Sequence, residues 1–198
     1  MSYERIKRSI QNIKNKSENN LDYKINKNSF IRNRKMNFED FIWYLTLQKG
    51  RTTSMELDEY LKCKNSTYKI SISKQAFSKQ RLNLKPEIFK DLYKDYLKDF
   101  YINSPKEVKK YKGYYVLAID GSMFEIPNTK ELREIYKTQK NNSGHRESAR
   151  ARVSGIYDIE NEFMVDAIIA DCEQGEKKLA KENIEEMGKI IDLKECII

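Results

Sequence analysis

One aspartate stands out because of the residues that precede it. Residues 114–119 form an apolar run that stops at Asp120, and Gly121 and Ser122 follow. A buried strand that ends in a carboxylate makes Asp120 a candidate for a chemically active group. The alternative is structural, because Asp-Gly is a common turn dipeptide and every strand must end somewhere. The spacing of these residues leaves both interpretations open.

Other residue types that do chemistry are sparse. The three cysteines, Cys63, Cys172 and Cys196, lie far apart and form no Cys-x-x-Cys motif. They therefore make neither a zinc site nor a disulfide framework, and a reducing compartment suits them. The single histidine, His145, excludes any chemistry that needs two, and its polar surroundings predict a solvated side chain.

Charge is spread unevenly along the chain. Residues 1–110 hold 25 lysines and arginines against 13 acidic residues, a net charge of +12, whereas residues 111–198 hold 13 against 17, a net charge of −4. A basic first half joined to a slightly acidic second half indicates a polyanion-binding module attached to something else. A generally lysine-rich proteome is the alternative explanation.

Hydropathy bears on the cellular compartment. No stretch of about 18 apolar residues is present, so the sequence predicts no membrane span and no membrane partner. The first residues lack the apolar run of a signal peptide. A cytoplasmic location is therefore predicted, and the frequent lysine, isoleucine and asparagine suggest a prokaryotic cell.

The first half of the chain has the pattern of a small helical domain. Residues 1–36 are polar and basic and predict a flexible arm, with a short helix possible where isoleucines recur at helical spacing. From Asn37 onwards, capping residues and apolar stripes predict four helices, the last of them opened by Pro86. Residues 37–104 are therefore predicted to form a helical domain, and residues 105–113 a basic linker.

The third predicted helix carries the candidate DNA contacts. Ser73 is expected to cap it, with Ala76, Phe77 and Leu82 facing inwards. Its other face carries lysine, glutamine and arginine, which a DNA-contacting helix of a helix-turn-helix domain requires. Side chains of these types bind phosphates and base edges, so the predicted DNA-binding residues are Lys74, Lys79 and Arg81. The alternative is an ordinary solvated helix face.

The period changes to that of β-strands after residue 114. Strands are predicted at residues 114–120, 149–158 and 162–171, followed by a helix after Gly175 and a final strand near the C-terminus. Residues 123–126 either extend the first strand or pair locally, and Pro127 ends it. The predicted fold class is therefore α+β, with a strand-strand-strand-helix-strand domain over residues 114–198. Because the last apolar strand stops without a turn or polar tail, we expect the chain to be a fragment of a longer polypeptide.

Three segments together resemble the DDE transposases of the insertion-sequence-four group. SKQAFSKQRLNLKPEIF, residues 73–89, is similar to the helical N-terminal region of that family. YYVLAIDGSMFEIPNT, residues 114–129, resembles its first catalytic strand, and residues 149–187 resemble its next two strands and the following helix. The resemblance implies a helix-turn-helix-like domain followed by an incomplete ribonuclease H-like domain.

The resemblance also implies a reaction. In such enzymes three acidic residues hold two divalent cations, usually Mg²⁺, which promote in-line attack on phosphorus. Asp120 matches the first of these residues, so the resemblance makes it catalytic and metal-binding. The second aspartate, in an Asp-Arg-Gly-Tyr-like stretch, and the glutamate, in a Tyr-Arg-Glu-Lys-like signature, are missing from this sequence.

Four other carboxylates could in principle substitute for the missing two. They are Asp166, Asp171, Glu125 and Glu173. Asp166 and Asp171 are five residues apart on one predicted strand, which places them on opposite faces. Capping, a surface position or a local ion pair is the expected role of each of the four. We therefore predict that this 198-residue chain alone neither cleaves nor joins DNA.

Three functional hypotheses follow. The chain is the N-terminal portion of a transposase that acts on double-stranded DNA at transposon ends. Alternatively, it is a non-catalytic DNA-binding module that competes with full-length transposase for those ends or for oligomerisation, possible partners being a second copy or the full-length enzyme. The third hypothesis is an inactive gene relic, because an incomplete sheet leaves a strand unpaired.

Overall fold

The structure is a computed structural model that describes residues 2–31, 35–64, 71–140 and 147–198. It divides into two compact units, residues 1–96 and 97–198, and the division falls within one helix. The first unit is helical and the second is built around a five-stranded sheet, so the predicted α+β class is confirmed. Among the described residues, no helix is both long enough and apolar enough to cross a membrane.

Five helices make up the first unit. They are α1 Tyr3–Glu18, α2 Phe38–Thr46, α3 Thr53–Lys64, α4 Lys74–Arg81 and α5 Glu87–Lys98, which runs into the second unit. Two of the predicted caps are confirmed: Asn37 forms a reciprocal capping box with Asp40, and the Ser73 hydroxyl accepts a hydrogen bond from the Ala76 N–H at 3.2 Å. The cap predicted at Thr53 or Ser54 is wrong, because α3 already begins at Thr53. These bonds satisfy amide groups that a helix N-terminus leaves open.

Residues 1–36 differ from the predicted arm. Residues 3–18 form α1, and Ile13 is buried in one apolar cluster with Phe38, Ile42, Leu84 and Ile88. The polar composition predicted an arm because the apolar residues of α1 are few. Ile13 is the one isoleucine buried in this helix of about four turns, and it still anchors the helix against α2. Burial of an aliphatic side chain contributes about 1.5–3 kcal/mol to the free energy of unfolding.

A second apolar cluster joins the middle helices of this unit. Phe77 of α4 is almost fully buried, stacks on Phe41 of α2 and meets Tyr44 edge to face. Two predicted inward residues of α4 were wrong, since Ala76 is exposed and Leu82 is 71% exposed. The helix has only eight residues, so a single large aromatic side chain is enough to anchor it.

The second unit contains the strands. They are β1 Tyr115–Glu125, β2 Thr138–Lys140, β3 Glu147–Asp158, β4 Phe163–Asp171 and β5 Cys196–Ile197, with helices α6 Lys130–Tyr136 and α7 Glu176–Met187. β1 pairs antiparallel with β3, β3 pairs antiparallel with β4 and with β2, and β5 lies parallel to β1. The predicted order is confirmed, with β2 added.

The strand at Asp120 includes the extension that the sequence left open. β1 continues through Asp120 and Gly121 to Glu125, paired with β3 throughout. Gly121 is extended, since the positive-φ glycines among the described residues are Gly50 and Gly113. The turn interpretation of the Asp-Gly dipeptide is therefore wrong, because the ladder with β3 keeps both residues in the strand.

Residues 105–113, predicted as a linker, belong to the second unit. The Lys109 N–H donates to the Asn161 side chain at 2.9 Å, and the Asn161 amide donates to the Lys109 carbonyl at 3.0 Å. Nearby, the Lys110 ammonium lies 4.1 Å from the centre of the Tyr115 ring and pairs with Glu195. This segment is thus bound to the sheet at the β3–β4 turn and beside β5.

Helix α7 covers one face of the sheet. Leu179 and Met187 of α7 are buried, as are Leu117 and Ile156 on the strands beneath. A polar network is buried in this interface: the Ser154 hydroxyl donates to the Asn183 side chain at 2.6 Å, and the Asn183 amide donates to Asp166 at 2.9 Å. Because β3, β4 and α7 each supply one member, the network fixes the position of the helix on the sheet.

Candidate functional site

Asp120 lies near the middle of β1, on the sheet face opposite α7. Alternate residues of a strand point to opposite faces. Leu117, Ile119 and Gly121 belong to the α7 face, where the Glu176 side chain lies over Gly121. The other face of β1 is open and carries exposed residues at Ala118, Asp120, Ser122 and Phe124.

The cross-strand neighbour of Asp120 contributes no side chain of its own to this face. Asp120 pairs with Gly155 on β3, which has no side chain. The methyl end of Met164, from β4, occupies the space above Gly155, only 2.4 Å from where a β-carbon would stand. Asp120 is therefore an exposed carboxylate whose cross-strand neighbour is a glycine covered by Met164.

The Asp120 carboxylate also lies at an edge of the sheet. The β1–β3 ladder is flanked by bonds from Ile159 N–H to the Val116 carbonyl and from Ile126 N–H to the Ala149 carbonyl. In an antiparallel pair such bonds recur at every second residue, so even-numbered residues of β1 bond to β3 and odd-numbered ones point away. Gly121 N–H therefore points away from β3, and Asp120 Oδ1 accepts its hydrogen bond at 2.8 Å.

None of the four alternative carboxylates joins Asp120. Asp166 is paired in register with Ile156, on the α7 face, and Glu125 lies on that face beside Arg150. Asp171 shares the open face, but the sheet register places its Cα roughly 16 Å from that of Asp120. The prediction that Asp166 and Asp171 lie on opposite faces is confirmed.

Asp171 and Glu173 have a local structural role. The Asp171 carboxylate accepts hydrogen bonds from the Glu173 N–H at 2.9 Å and from the Gln174 side chain at 3.3 Å, which closes the turn before α7. Although desolvation opposes the change, these hydrogen bonds lower the pKa of Asp171. The carboxylate is thus held charged by its own turn, whereas the N-cap of α7 is Gly175 and not Asp171.

The described residues do not fit a two-magnesium site. A pair of divalent cations needs several carboxylates converging on one point. Asp120 has no second acidic side chain on its part of the face, and no group of three or more possible ligands occurs within the described ranges. Asp120 alone supplies one carboxylate, so no step of a metal-dependent reaction follows from this chain.

The candidate DNA-binding residues lie on the exposed side of α4. Lys74, Lys79 and Arg81 are all exposed, and none of them is in an ion pair with another described residue. Phe77 holds the opposite side of the helix in the core. The three cations are therefore available to a polyanion, although a solvated helix face has the same appearance.

The connection between α3 and α4 is longer than the turn of the predicted helix-turn-helix motif. α3 and α4 contact each other, but nine residues, 65–73, separate them. A helix-turn-helix has a turn of three or four residues. Residues 65–70 lie outside the described residues, and so does His145 with its polar surroundings.

The two structural units differ in net charge. Residues 1–96 hold 21 lysines and arginines against 11 acidic residues, a net charge of +10, and residues 97–198 hold 17 against 19, a net charge of −2. The basic excess thus belongs to the unit that contains α4. This division matches the charge asymmetry in the sequence.

Sequence reasoning missed the carboxylate of Asp158 and two neighbouring arginines of β3, Arg150 and Arg152. Asp158 is fully buried and accepts hydrogen bonds from the Tyr101 hydroxyl at 2.6 Å and from Asn161. Arg150 and Arg152 lie side by side on the α7 face, where Arg152 pairs with Glu176. Their alternation along β3 was visible in the sequence, but their partners come from other elements.

Comparison of the chain with protein-family models, with curated proteins and with solved structures finds no match in any of the three. The interpretation of the site therefore depends on its own geometry.

Proposed function

We propose that this chain is the N-terminal, DNA-binding portion of a DDE transposase, which engages double-stranded DNA at transposon ends in a prokaryotic cytoplasm. The observation that carries the proposal is the topology around Asp120. Three antiparallel strands, a helix and a strand parallel to the first place one carboxylate on β1, the strand between β3 and β5. This is the arrangement that the start of a ribonuclease H-like fold requires, with Asp120 as the first acidic residue.

DNA binding is assigned to the first unit. Its net charge of +10 gives a long-range attraction for a polyanion, and α4 presents Lys74, Lys79 and Arg81 on an open side. Contacts of this kind to phosphates supply most of the affinity of DNA-binding proteins and make it strongly salt-dependent. The second unit, with a net charge of −2, contributes little to this attraction.

Titration of the purified chain with labelled duplex DNA tests the binding part of the proposal. Random-sequence 30-base-pair duplexes and duplexes from the DNA that flanks the chain's own gene serve as the two probes. At equal salt, we expect the flanking sequence to bind about a thousandfold more tightly, as specific sites do. Equal affinity for both probes would contradict the proposal that the chain binds transposon ends specifically.

The nucleotides that follow codon 198 test the catalytic part. β5 is parallel to β1 with Cys196 beside Tyr115, so the same register would place a residue five positions after Cys196 beside Asp120. An encoded aspartate at or just after that position, and a later Tyr-Arg-Glu-Lys-like helix, support the transposase. Their absence in every reading frame removes the catalytic role of Asp120.

A non-catalytic function is the second candidate, and the isolation of Asp120 from other carboxylates favours it. A chain that occupies transposon ends without cutting them would inhibit full-length transposase. Adding the chain to a transposition assay with the complete enzyme tests this, because a competitor lowers the yield in proportion to its occupancy of the ends. A yield that stays constant while the ends are occupied contradicts the inhibitor, and a chain that does not fold at all points to a gene relic.

A further inference from the structure

An apolar groove of about 480 Å³ lies on the surface of the first unit. Six apolar residues and one charged residue, Arg81, line it. One of the six, Leu84, is buried in the apolar cluster that contains Ile42 and Ile88, so the groove opens directly onto the core. Two others, Leu82 and Ile25, remain 71% and 62% exposed, so the groove has apolar walls that face water.

Two chain segments that border the groove are joined by backbone hydrogen bonds. The Ile25 N–H donates to the Asn83 carbonyl at 3.0 Å, and the Lys85 N–H donates to the Tyr23 carbonyl at 2.9 Å. These bonds hold the segment around residue 25 beside the segment that follows α4. The groove is therefore formed before anything binds in it, which lowers the entropic cost of binding.

Both segments that border the groove are positively charged. Residues 24–31 contain two lysines and no acidic residue, and residues 73–86 contain three lysines, one arginine and no acidic residue. Arg81 is exposed at the groove itself, and the next acidic residue along the chain is Glu87, at the start of α5. Charge complementarity therefore favours an occupant with negative charge.

The shape and lining of the groove decide which anionic occupant fits. A small molecule is normally buried over most of its surface, whereas two walls of this groove are themselves more than half exposed. A DNA phosphate backbone offers nothing to an apolar lining, because its contacts are polar and charged. An amphipathic helix meets both requirements, since its apolar stripe enters such a groove and its charged residues flank the stripe.

We infer that this groove binds an acidic amphipathic helix of a partner protein. The apolar stripe of that helix covers Leu82 and Ile25, and one of its carboxylates pairs with Arg81. This gives a reason for the exposure of Leu82, which the sequence predicted to face inwards. The inference goes beyond the proposed function, because DNA binding by α4 makes no use of the apolar lining.

Fluorescence anisotropy with a labelled peptide tests the inference in the absence of DNA, so its result is independent of the proposed function. The probe is a peptide of about 15 residues made of glutamate, alanine and leucine, with the leucines at helical spacing. We expect saturable binding to the full chain. A peptide with the same composition but scattered leucines, and a peptide with lysine in place of glutamate, should each bind at least about tenfold more weakly.

Substitutions in the groove separate its apolar part from its charged part. Leu82→Ala should lower the affinity for the peptide about tenfold at every salt concentration. Arg81→Gln should lower it about fivefold at low salt, with a difference that fades as salt screens the charge. Leu21→Ala is the matched control, because Leu21 is 65% exposed in the same unit and does not line the groove. Circular dichroism checks that all three variants are folded.

Several results would overturn the inference. They are the absence of saturable binding, equal binding of either control peptide, and a Leu82→Ala variant that binds the peptide like the unmodified chain. Duplex DNA is the other macromolecule to test, and Leu82→Ala should leave the affinity for it unchanged. If Leu82→Ala weakens DNA binding as much as peptide binding, the groove is part of a DNA interface and the inference is wrong.

Discussion

Asp120 Oδ1 accepts a hydrogen bond of 2.8 Å from the N–H of the next residue, Gly121, on the edge of β1 that faces away from β3. The bond is local and exposed to water, so it adds little to the free energy of unfolding. Asp120 therefore accepts its hydrogen bond from its own neighbour in the chain and not from another element.

This bond makes the stability of Asp120 variants predictable. Asp120→Asn keeps an acceptor for Gly121, and Asp120→Ala leaves an N–H that water can reach, so both should change the free energy of unfolding by less than about 1 kcal/mol. Urea unfolding measures the change, and Asp158→Ala, which removes a fully buried carboxylate, is the control that should be severely destabilised. A loss of 3 kcal/mol or more for Asp120→Ala, roughly the cost of a core defect, would make Asp120 a structural residue.

The cations of α4 should set the salt dependence of DNA binding. Lys74→Ala, Lys79→Ala and Arg81→Ala are each expected to weaken binding about equally for all sequences and to lower the slope of log affinity against log salt by about one, if they contact phosphates. Lys177→Ala, an exposed lysine on α7 in the second unit, is the matched control and should leave the slope unchanged. If all three α4 variants bind like the unmodified chain, the assignment of α4 to DNA is wrong.

The buried network under α7 should be important for the second unit. Asn183→Leu removes two hydrogen bonds and leaves the Ser154 hydroxyl and the Asp166 carboxylate without their partner, which we expect to cost about 2–4 kcal/mol. Urea unfolding measures the loss, and hydrogen exchange assigns it to the second unit. Adding Ser154→Ala removes one unsatisfied group and should recover about 1 kcal/mol. Simple additivity of the two single changes would show that the network is not coupled.

Thiol chemistry should separate the three cysteines. Burial raises the pKa of the Cys172 thiol and of the Cys196 thiol above the ordinary value of 9.0, whereas Cys63 is exposed on α3. A raised pKa means less thiolate at neutral pH, so both should react with a disulfide reagent at least about tenfold more slowly than Cys63, with rates that increase as the pH rises. In urea the three rates should converge. Labelling of Cys172 as fast as Cys63 in the folded chain would contradict its burial.

Local signals in the sequence predicted most of the elements. Asn37 and Ser73 begin helices because their side chains satisfy open amide groups a few residues away, which depends on neighbours in the chain alone. The alternation from residue 149 to residue 171 predicted β3 and β4, and the five-residue spacing of Asp166 and Asp171 predicted their opposite faces. Each of these predictions needs only the period of a helix or a strand.

The errors have a common cause as well. Leu82 was expected inside, and a turn at the Asp-Gly dipeptide was one of two interpretations, but the packing of Phe77 and the ladder to β3 decided otherwise. Both outcomes depend on residues distant in sequence, which a pattern of apolar positions does not identify.

The sequence by itself determined the α+β class, the division of charge between a basic helical part and a more acidic part with strands, and Asp120 as the residue to examine, because composition, period and caps are local properties. Tertiary structure alone decided which edge of β1 faces away from β3, that Asp120 covers the donor of Gly121 there, and that no group of three or more possible metal ligands forms among the described residues. Those relationships follow from strand register and from the side of the sheet that α7 covers, and both are set by contacts between distant segments.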